Sequence, residues 1–238
     1  MLLYLIRHGD PIYEPDSLTE LGEKQAEALS KRLEILGFDK VFVSSSERAI
    51  LTAKPTCEKI GVEPTVLDWC NEKYAFEEFT AEDRNGKRKW VFVVEETRKL
   101  LTSSEIVNLG KDWYKSPKLE GTKYHEGILR ISKNADEFLA NLGYVHNRKE
   151  NNYKVVNHND QRIALFAHCG FGLAFLSAVL DIPYPMLAMR FYIQHSGVTV
   201  IEFNDLDSIC IPRVFQLSND SHLYKENLPT KYMNRIDI

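Results

Sequence analysis

The sequence predicts an α/β fold: a three-layer sandwich with a mostly parallel central sheet flanked by helices, plus an inserted cap region. Three observations predict it. Short, unbroken apolar runs such as Leu2–Ile6 have the look of strands covered on both faces. Up to residue 68 they alternate with amphipathic helices, the order strand, helix, strand, helix, strand that builds a parallel sheet. From about Ala75 to Lys123 the alternation lapses into charged, aromatic, irregular sequence, and then it resumes.

After the first strand comes a polar, proline-containing loop. Thr19 then caps a helix to about Leu36, with Leu21, Leu29, Leu33 and Leu36 on one stripe and Glu23, Lys24, Glu27 and Lys31 outside it. Gly37 ends this helix. Val41–Val43 reads as the second strand, Ala49–Ile60 as a helix stopped by Gly61, and Thr65–Asp68 as the third strand. The irregular stretch holds a basic turn, Arg84 to Lys89, and one helical piece near Val94–Leu101. It reads as a cap of about residues 75–123 inside a single domain spanning 1–238, and the basic turn as solvated or as a grip on a second anionic group. A helix over Tyr124–Leu142 returns to the core through Ile128, Ile131, Ala135, Phe138 and Leu142. Tyr144–Val156 and Gln161–Ala167 read as two strands of one hairpin, followed by a helix over Phe171–Leu180 and a final strand, Gly197–Phe203.

Composition narrows the function. The 238 residues are 44% hydrophobic and 27% charged, the balance of a globular protein. With 34 acidic against 30 basic residues the net charge is −4, which argues against nucleic acid as the main partner. Four cysteines without a CxxC pair give neither a zinc cluster nor a disulfide framework. They fit a reducing interior, and the N-terminus lacks the form of a signal peptide, so a cytoplasmic location is expected. Ile163–Leu180 is 18 residues long and nearly all apolar, close to the length of a membrane span. Gly170 and Gly172 break it, however, and a strand, a turn and a buried helix account for it without a membrane.

Arg7 and His8 directly follow the first strand, Arg48 lies shortly after the second, and His168 directly follows Ile163–Ala167. Ligands of open α/β sheets bind at the carboxyl ends of strands, so these four side chains are expected to converge there. Two arginines suit phosphate oxygens, and the histidines can add a nucleophile and a further donor. The turn after His168 also offers a helix N-terminus to an anion.

These residues lie in motifs: Leu5-Ile-Arg-His-Gly9, Leu18-Thr-Glu-Leu-Gly22 with Gln25-Ala26, Ser44-Ser-Ser-Glu-Arg-Ala-Ile-Leu-Thr-Ala53, Ala167-His168 and Asn219-Asp-Ser-His-Leu223. In order and spacing they resemble the histidine phosphatase superfamily, which includes cofactor-dependent phosphoglycerate mutases and many phosphatases. The resemblance covers the first 80 residues and about 160 to 222. It implies a phosphomonoester hydrolase for a small phosphorylated metabolite, needing no metal or other cofactor. His8 would be the nucleophile, forming a phosphohistidine, with Arg7, Arg48 and His168 on the phosphate oxygens. Glu72 is the best match for the carboxylic acid that protonates the leaving oxygen, with Glu77 and Glu78 as alternatives. Gly9 and Gly22 read as backbone-geometry positions, and His195 and His222 as residues supporting the site from outside it.

Two departures bear on substrate contacts. Relatives commonly carry glycine where this chain has Cys169, which could crowd the phosphate or leave a reactive thiol beside it. Many carry a small polar residue where this chain has Glu14, a carboxylate that would repel phosphate unless it points away or pairs with a base. Two rival functions remain. A phosphoglycerate mutase is one: Asn71–Tyr74 is similar to a mutase motif running Asn-Glu-Arg-X-Tyr-Gly, with Lys73 and Ala75 replacing its Arg and Gly. A silent module that binds a phosphorylated partner is the other, although none of Arg7, His8 and His168 is lost.

Overall fold

Strand β1 (Leu2–Arg7) is a run of Leu, Tyr and Ile without polar alternation, and both of its faces are buried. In the computed structural model, which describes residues 1–204 and 209–230, it lies in the middle of a six-stranded sheet. The chain leaves it through a small hairpin, β2 (Pro11–Tyr13) and β3 (Asp16–Leu18), and enters α1 (Glu20–Leu36). Thr19 caps α1 by accepting from the Gly22 N–H, and Gly37 closes it at φ 64°. Then come β4 (Lys40–Ser44), α2 (Glu47–Ile60), β5 (Thr65–Leu67) and α3 (Glu72–Glu78).

Residues 75–123 are less irregular than their sequence suggests. They form the hairpin of β6 (Thr80–Glu82) and β7 (Arg88–Trp90), the short helices α4 (Glu95–Leu101) and α5 (Ser104–Val107), and 3-10 turns. Val91, Leu101, Ile106, Trp113 and Leu119 bury themselves in the same cluster as the following helix, α6 (Tyr124–Asn141).

The remaining elements are β8 (Tyr144–Asn147), β9 (Asn152–Val155), β10 (Arg162–Ala167), α7 (Cys169–Leu180), a short helix α8 (Tyr184–Ala188), β11 (Val198–Glu202), β12 (Ile209–Cys210), β13 (Arg213–Asn219) and α9 (Ser221–Lys225). The large sheet runs β13-β11-β1-β10-β4-β5, with β1, β10, β4 and β5 parallel and β11 antiparallel to both its neighbours. Leu3 and Leu5 of β1 join the core under α6 and α7, whereas Tyr4 and Ile6 join the core under α1 and α2. Two cores separated by one sheet make the three-layer α/β sandwich that the sequence predicts.

Three expectations need correction. Tyr144–Val156 does not pair with Gln161–Ala167. It folds on itself as β8–β9, within a small sheet completed by β12, while β10 pairs in parallel with β1 and β4. The physical reason is burial: Ile163–Ala167 is buried at every position and needs a strand on each side, whereas β8 alternates. Gly197–Phe203 is not the last strand, since β13 follows with both faces largely exposed. Helix α7 begins at Cys169 rather than Phe171, because its glycines do not break it. They are places of close approach: a Cβ on Gly172 would lie 2.7 Å from Ile193, and one on Gly170 only 2.2 Å from the Trp90 ring. Among the described residues no helix is long and apolar enough to cross a membrane.

Candidate active site

The site grows from the carboxyl end of β1. There the His8 N–H donates to the Ala167 carbonyl at the end of β10 (3.0 Å), and the Ser196 N–H donates to the His8 carbonyl (3.0 Å). The Gly9 N–H donates to Thr52 Oγ1 of α2 (2.9 Å), and the Asp10 N–H to Gln25 Oε1 of α1 (2.8 Å). Gly9 and Gly22 meet backbone to backbone. A Cβ on Gly22 would fall 2.2 Å from the Asp10 carbonyl, so these glycines are backbone-geometry positions, as expected. The loop carrying His8 is thereby tied to both strands and both helices around it.

These ties fix the chemistry of His8. Its Nδ1 lies 2.7 Å from the Gly9 carbonyl, which can only accept, so Nδ1 carries the proton and Nε2 keeps its lone pair. Burial, aided by the adjacent Arg7, His168 and Arg48, pushes the His8 pKa well below the usual histidine range. The ring is neutral at pH 7, with Nε2 as its nucleophilic atom.

Arg7 donates to the Ile193 carbonyl (2.6 Å) and to the Tyr192 hydroxyl (3.1 Å), and its other terminal nitrogen lies 2.7 Å from His195 Nε2. Arg48 donates to Asp16 Oδ1 (2.7 Å) and to His168 Nδ1 (3.2 Å). Since a guanidinium only donates, His168 Nδ1 accepts and its Nε2–H faces Ser44 Oγ at 2.8 Å. Burial, Arg48 and Arg7 lower the His168 pKa in turn. The Nε atoms of Arg7 and Arg48 are buried with no acceptor among the described residues, although both residues line the same pocket. An anion's oxygens would supply what they lack.

Glu72 opens α3, with one carboxyl oxygen accepting from the Gly170 N–H and the other from the Phe171 N–H, both at 2.9 Å. The N-terminus of α7, expected to face an anion, is directed at the protein's own Glu72 carboxyl. Burial nevertheless raises the Glu72 pKa, against the pull of those two N–H groups and of Arg7 and Arg48. Its rivals are engaged elsewhere: Glu78 forms an ion pair with Arg130, and Glu77 is exposed, its carbonyl accepting from Arg88.

Arg7, His8, Arg48 and Glu72 line one cavity of about 740 Å³. His168 lies beneath it, fully buried, its ring 5.2 Å from that of His8. His195 stands 5.6 Å from His8 on the other side, and His222 is farther out, 2.9 Å from Ser196 Oγ. Cys169 also lines the cavity, but burial raises its pKa, so it presents a thiol and not a reactive thiolate. Glu14 is exposed at the β2–β3 turn, and the carboxylate that meets Arg48 is Asp16. The basic turn divides: Arg84 pairs with Glu95 and Glu96, while Arg88 and Lys89 reach the cavity. No group of three or more His, Cys, Asp or Glu among the described residues is placed to hold a metal ion.

Sequence reasoning missed Asp16, Tyr192 and an aromatic wall made by Phe76, Trp90 and Phe92. Trp90 packs on Gly170, beside the N–H groups that hold Glu72. Gly170→Ala is expected to push the indole out of place, costing about 1–3 kcal/mol of stability. Thermal denaturation checks this, and an unchanged melting temperature would contradict the contact.

The buried histidines set a pH dependence of stability. His8 and His168 are lowered well below 6.5, and His222 is lowered to about 4 by its burial. Below pH 6.5 the unfolded chain takes up protons that these three rings refuse, so each removes up to about 1.4 kcal/mol per pH unit from folding stability. The raised Glu72 carboxyl acts in the opposite sense above pH 4.5 and offsets one of them. His146, raised by Asp136 and Asp181 despite its burial, contributes stability that is constant below 6.5 and is lost at higher pH. Urea unfolding is therefore expected to show stability falling from pH 6.5 to pH 5. A flat or rising profile would rule out the neutral buried rings.

Sheet order and the basic cluster at the carboxyl edge define an α/β protein with a basic, aromatic-walled pocket. Residues 3–90 match the family model of the histidine phosphatase superfamily, branch 1. No curated protein matches the chain. Solved structures match across nearly all of it. A mycobacterial glucosyl-3-phosphoglycerate phosphatase with inorganic phosphate is 19% identical over 93% of this chain and 98% of its own, at a TM-score of 0.59. A phosphoserine phosphatase mutant from Entamoeba histolytica, in complex with phosphoserine, is 16% identical over 93% and 98%, at 0.58. A putative alpha-ribazole-5'-P phosphatase from Escherichia coli is 19% identical over 92% and 98%, at 0.57. Residues 3–90 thus carry the pattern of the histidine phosphatase superfamily, and the chain as a whole shares the fold of these solved structures.

Proposed function

We propose that the protein is a phosphomonoester hydrolase that works through a phosphohistidine on His8, with residues 75–123 as the cap that selects its substrate. The observation that carries this reading is the His8 tautomer. With Nδ1–H held by the Gly9 carbonyl, a neutral ring offers the Nε2 lone pair in a cavity that also holds two arginines and a carboxyl of raised pKa. In the first step Nε2 bonds to phosphorus while the ester P–O bond breaks, and the leaving oxygen takes the proton of Glu72. In the second, the Glu72 carboxylate accepts a proton from water as that water's oxygen bonds to phosphorus, releasing phosphate and restoring neutral His8. Arg7 and Arg48 hold the non-bridging oxygens as charge spreads over them, and His168, whose two ring nitrogens face Arg48 and Ser44, positions the Arg48 guanidinium from beneath. Phosphatases among the structural neighbours support the reading. Four free, buried cysteines support a reducing compartment such as the cytoplasm.

The test is to trap the intermediate. Brief mixing with a ³²P-labelled ester and a denaturing quench should leave label on the protein that is stable in alkali and lost in acid, with a coupled release of the alcohol. Absence of such label during turnover would refute the phosphohistidine. Interconversion of 2- and 3-phosphoglycerate, stimulated by 2,3-bisphosphoglycerate, would replace the hydrolase by a mutase.

A further inference from the structure

Resting on the phosphatase reading above, we propose that the leaving group this pocket accepts carries a flat apolar ring, which lies against a wall of Phe76, Trp90 and Phe92.

The wall is built, not incidental. Trp90 ends β7, and its indole fills the space over Gly170 that any other residue's Cβ would occupy. Phe76 meets it edge-on, with ring centroids 5.2 Å apart at 86°, and Phe92 lies nearly parallel to it at 5.6 Å and 9°. Gly170 also donates to Glu72, so the indole stands next to the carboxyl that faces the leaving oxygen. The rings and this carboxyl line the same cavity.

Size and polarity agree. A cavity of about 740 Å³ is far larger than a phosphate group needs and lies in the range that takes whole organic ligands. Phe76 is 37% exposed and Val93, also in the lining, 42%, apolar surface that a small hydroxy acid would leave in water. The polar groups at this end sit at the margin. Arg88 lies over the Phe76 ring at 5.7 Å and spends its hydrogen bonds on neutral acceptors, Thr80 Oγ1 and the Glu77 carbonyl, while Lys89 is paired with Asp83. Flat rings are favoured over chains because the wall is itself aromatic, three rings in mutual contact, and ring-on-ring contact adds to the gain from burial alone.

Binding and turnover test this separately. By calorimetry, 2-(1-naphthyl)ethylphosphonate is expected to bind the wild-type protein at least about tenfold more tightly than methylphosphonate or hexylphosphonate. Trp90→Ala and Phe76→Ala should each reduce that preference about threefold or more; Phe76, being partly exposed, can be truncated with little risk to the core. Equal affinity for the naphthyl and hexyl compounds would overturn the ring, and equal affinity for all three would overturn the wall as a binding surface. In the kinetic arm, 2-(1-naphthyl)ethyl phosphate and propyl phosphate have leaving groups of similar basicity, so their kcat/KM ratio reads recognition and not chemistry. A ratio above about ten supports the proposal. Equal turnover of both overturns it and leaves the phosphatase reading intact. No turnover of either, with the naphthyl preference present in calorimetry, overturns the phosphatase reading and upholds the ring site.

Discussion

His8→Ala is expected to leave a folded protein that no longer turns over phosphomonoesters. The loss in kcat should be at least about 10³-fold, since no other group takes the place of a nucleophile whose bond to phosphorus defines the first step. The fold should survive, because the backbone ties to Ala167, Thr52 and Ser196 do not involve the ring. The variant should also be less sensitive to acid than wild type, having lost one of the rings that refuse a proton on folding. The measurement is p-nitrophenyl phosphate hydrolysis across pH 5 to 8 with EDTA, paired with urea unfolding at pH 7 and pH 5. Activity near that of wild type would remove His8 from its role.

Glu72→Gln should separate esters by the basicity of what leaves. Alkyl phosphates need a proton on the departing oxygen and should slow by about 10²–10⁴-fold. Nitrophenolate leaves unaided, so p-nitrophenyl phosphate should suffer far less in the first step. In the proposed second step Glu72 is the base, so the variant should give a burst of nitrophenolate followed by slow turnover. A second cost follows from the geometry. Both carboxyl oxygens accept backbone N–H groups, and an amide turns one acceptor into a donor facing another donor. A stability loss of about 1–3 kcal/mol is expected with the kinetic change. Equal losses on both esters, without a burst, would leave Glu72 only as the anchor between α3 and α7.

Much of this was legible in the sequence, for identifiable reasons. Strands such as β1 and β10 are buried on both faces, so their composition alone marks them, and the carboxyl-edge rule then draws Arg7, His8, Arg48 and His168 together. Glu72 was reachable through spacing within a motif. Pairing was harder to read: the β8–β9 hairpin and β10 follow one another in the chain, and neither run says that the first folds on itself while the second pairs with β1 and β4. Gly170 and Gly172 looked like a break because a lone sequence cannot show that Trp90 and Ile193, from distant elements, fill the room they leave. Residues 75–123 carried no periodicity since their elements are a few residues long, and the aromatic wall was hidden with them. Asp16 sat in a polar loop with nothing to distinguish it from Asp10 or Glu14.

The pairing of Asp16 with Arg48 has a consequence for selectivity. Arg48 has a counter-ion within the protein, and Asp16 also accepts from the Glu47 N–H that begins α2. An anion that takes the Arg48 Nε–H therefore does so beside a carboxylate, and competes with Asp16 for the charge of one guanidinium. Chloride or acetate, with a single charge, gains little against a carboxylate so held, whereas a phosphate dianion with several oxygens to share between Arg7 and Arg48 gains much more. On the proposed function, Asp16 would thereby favour a dianion over the common singly charged anions at Arg48.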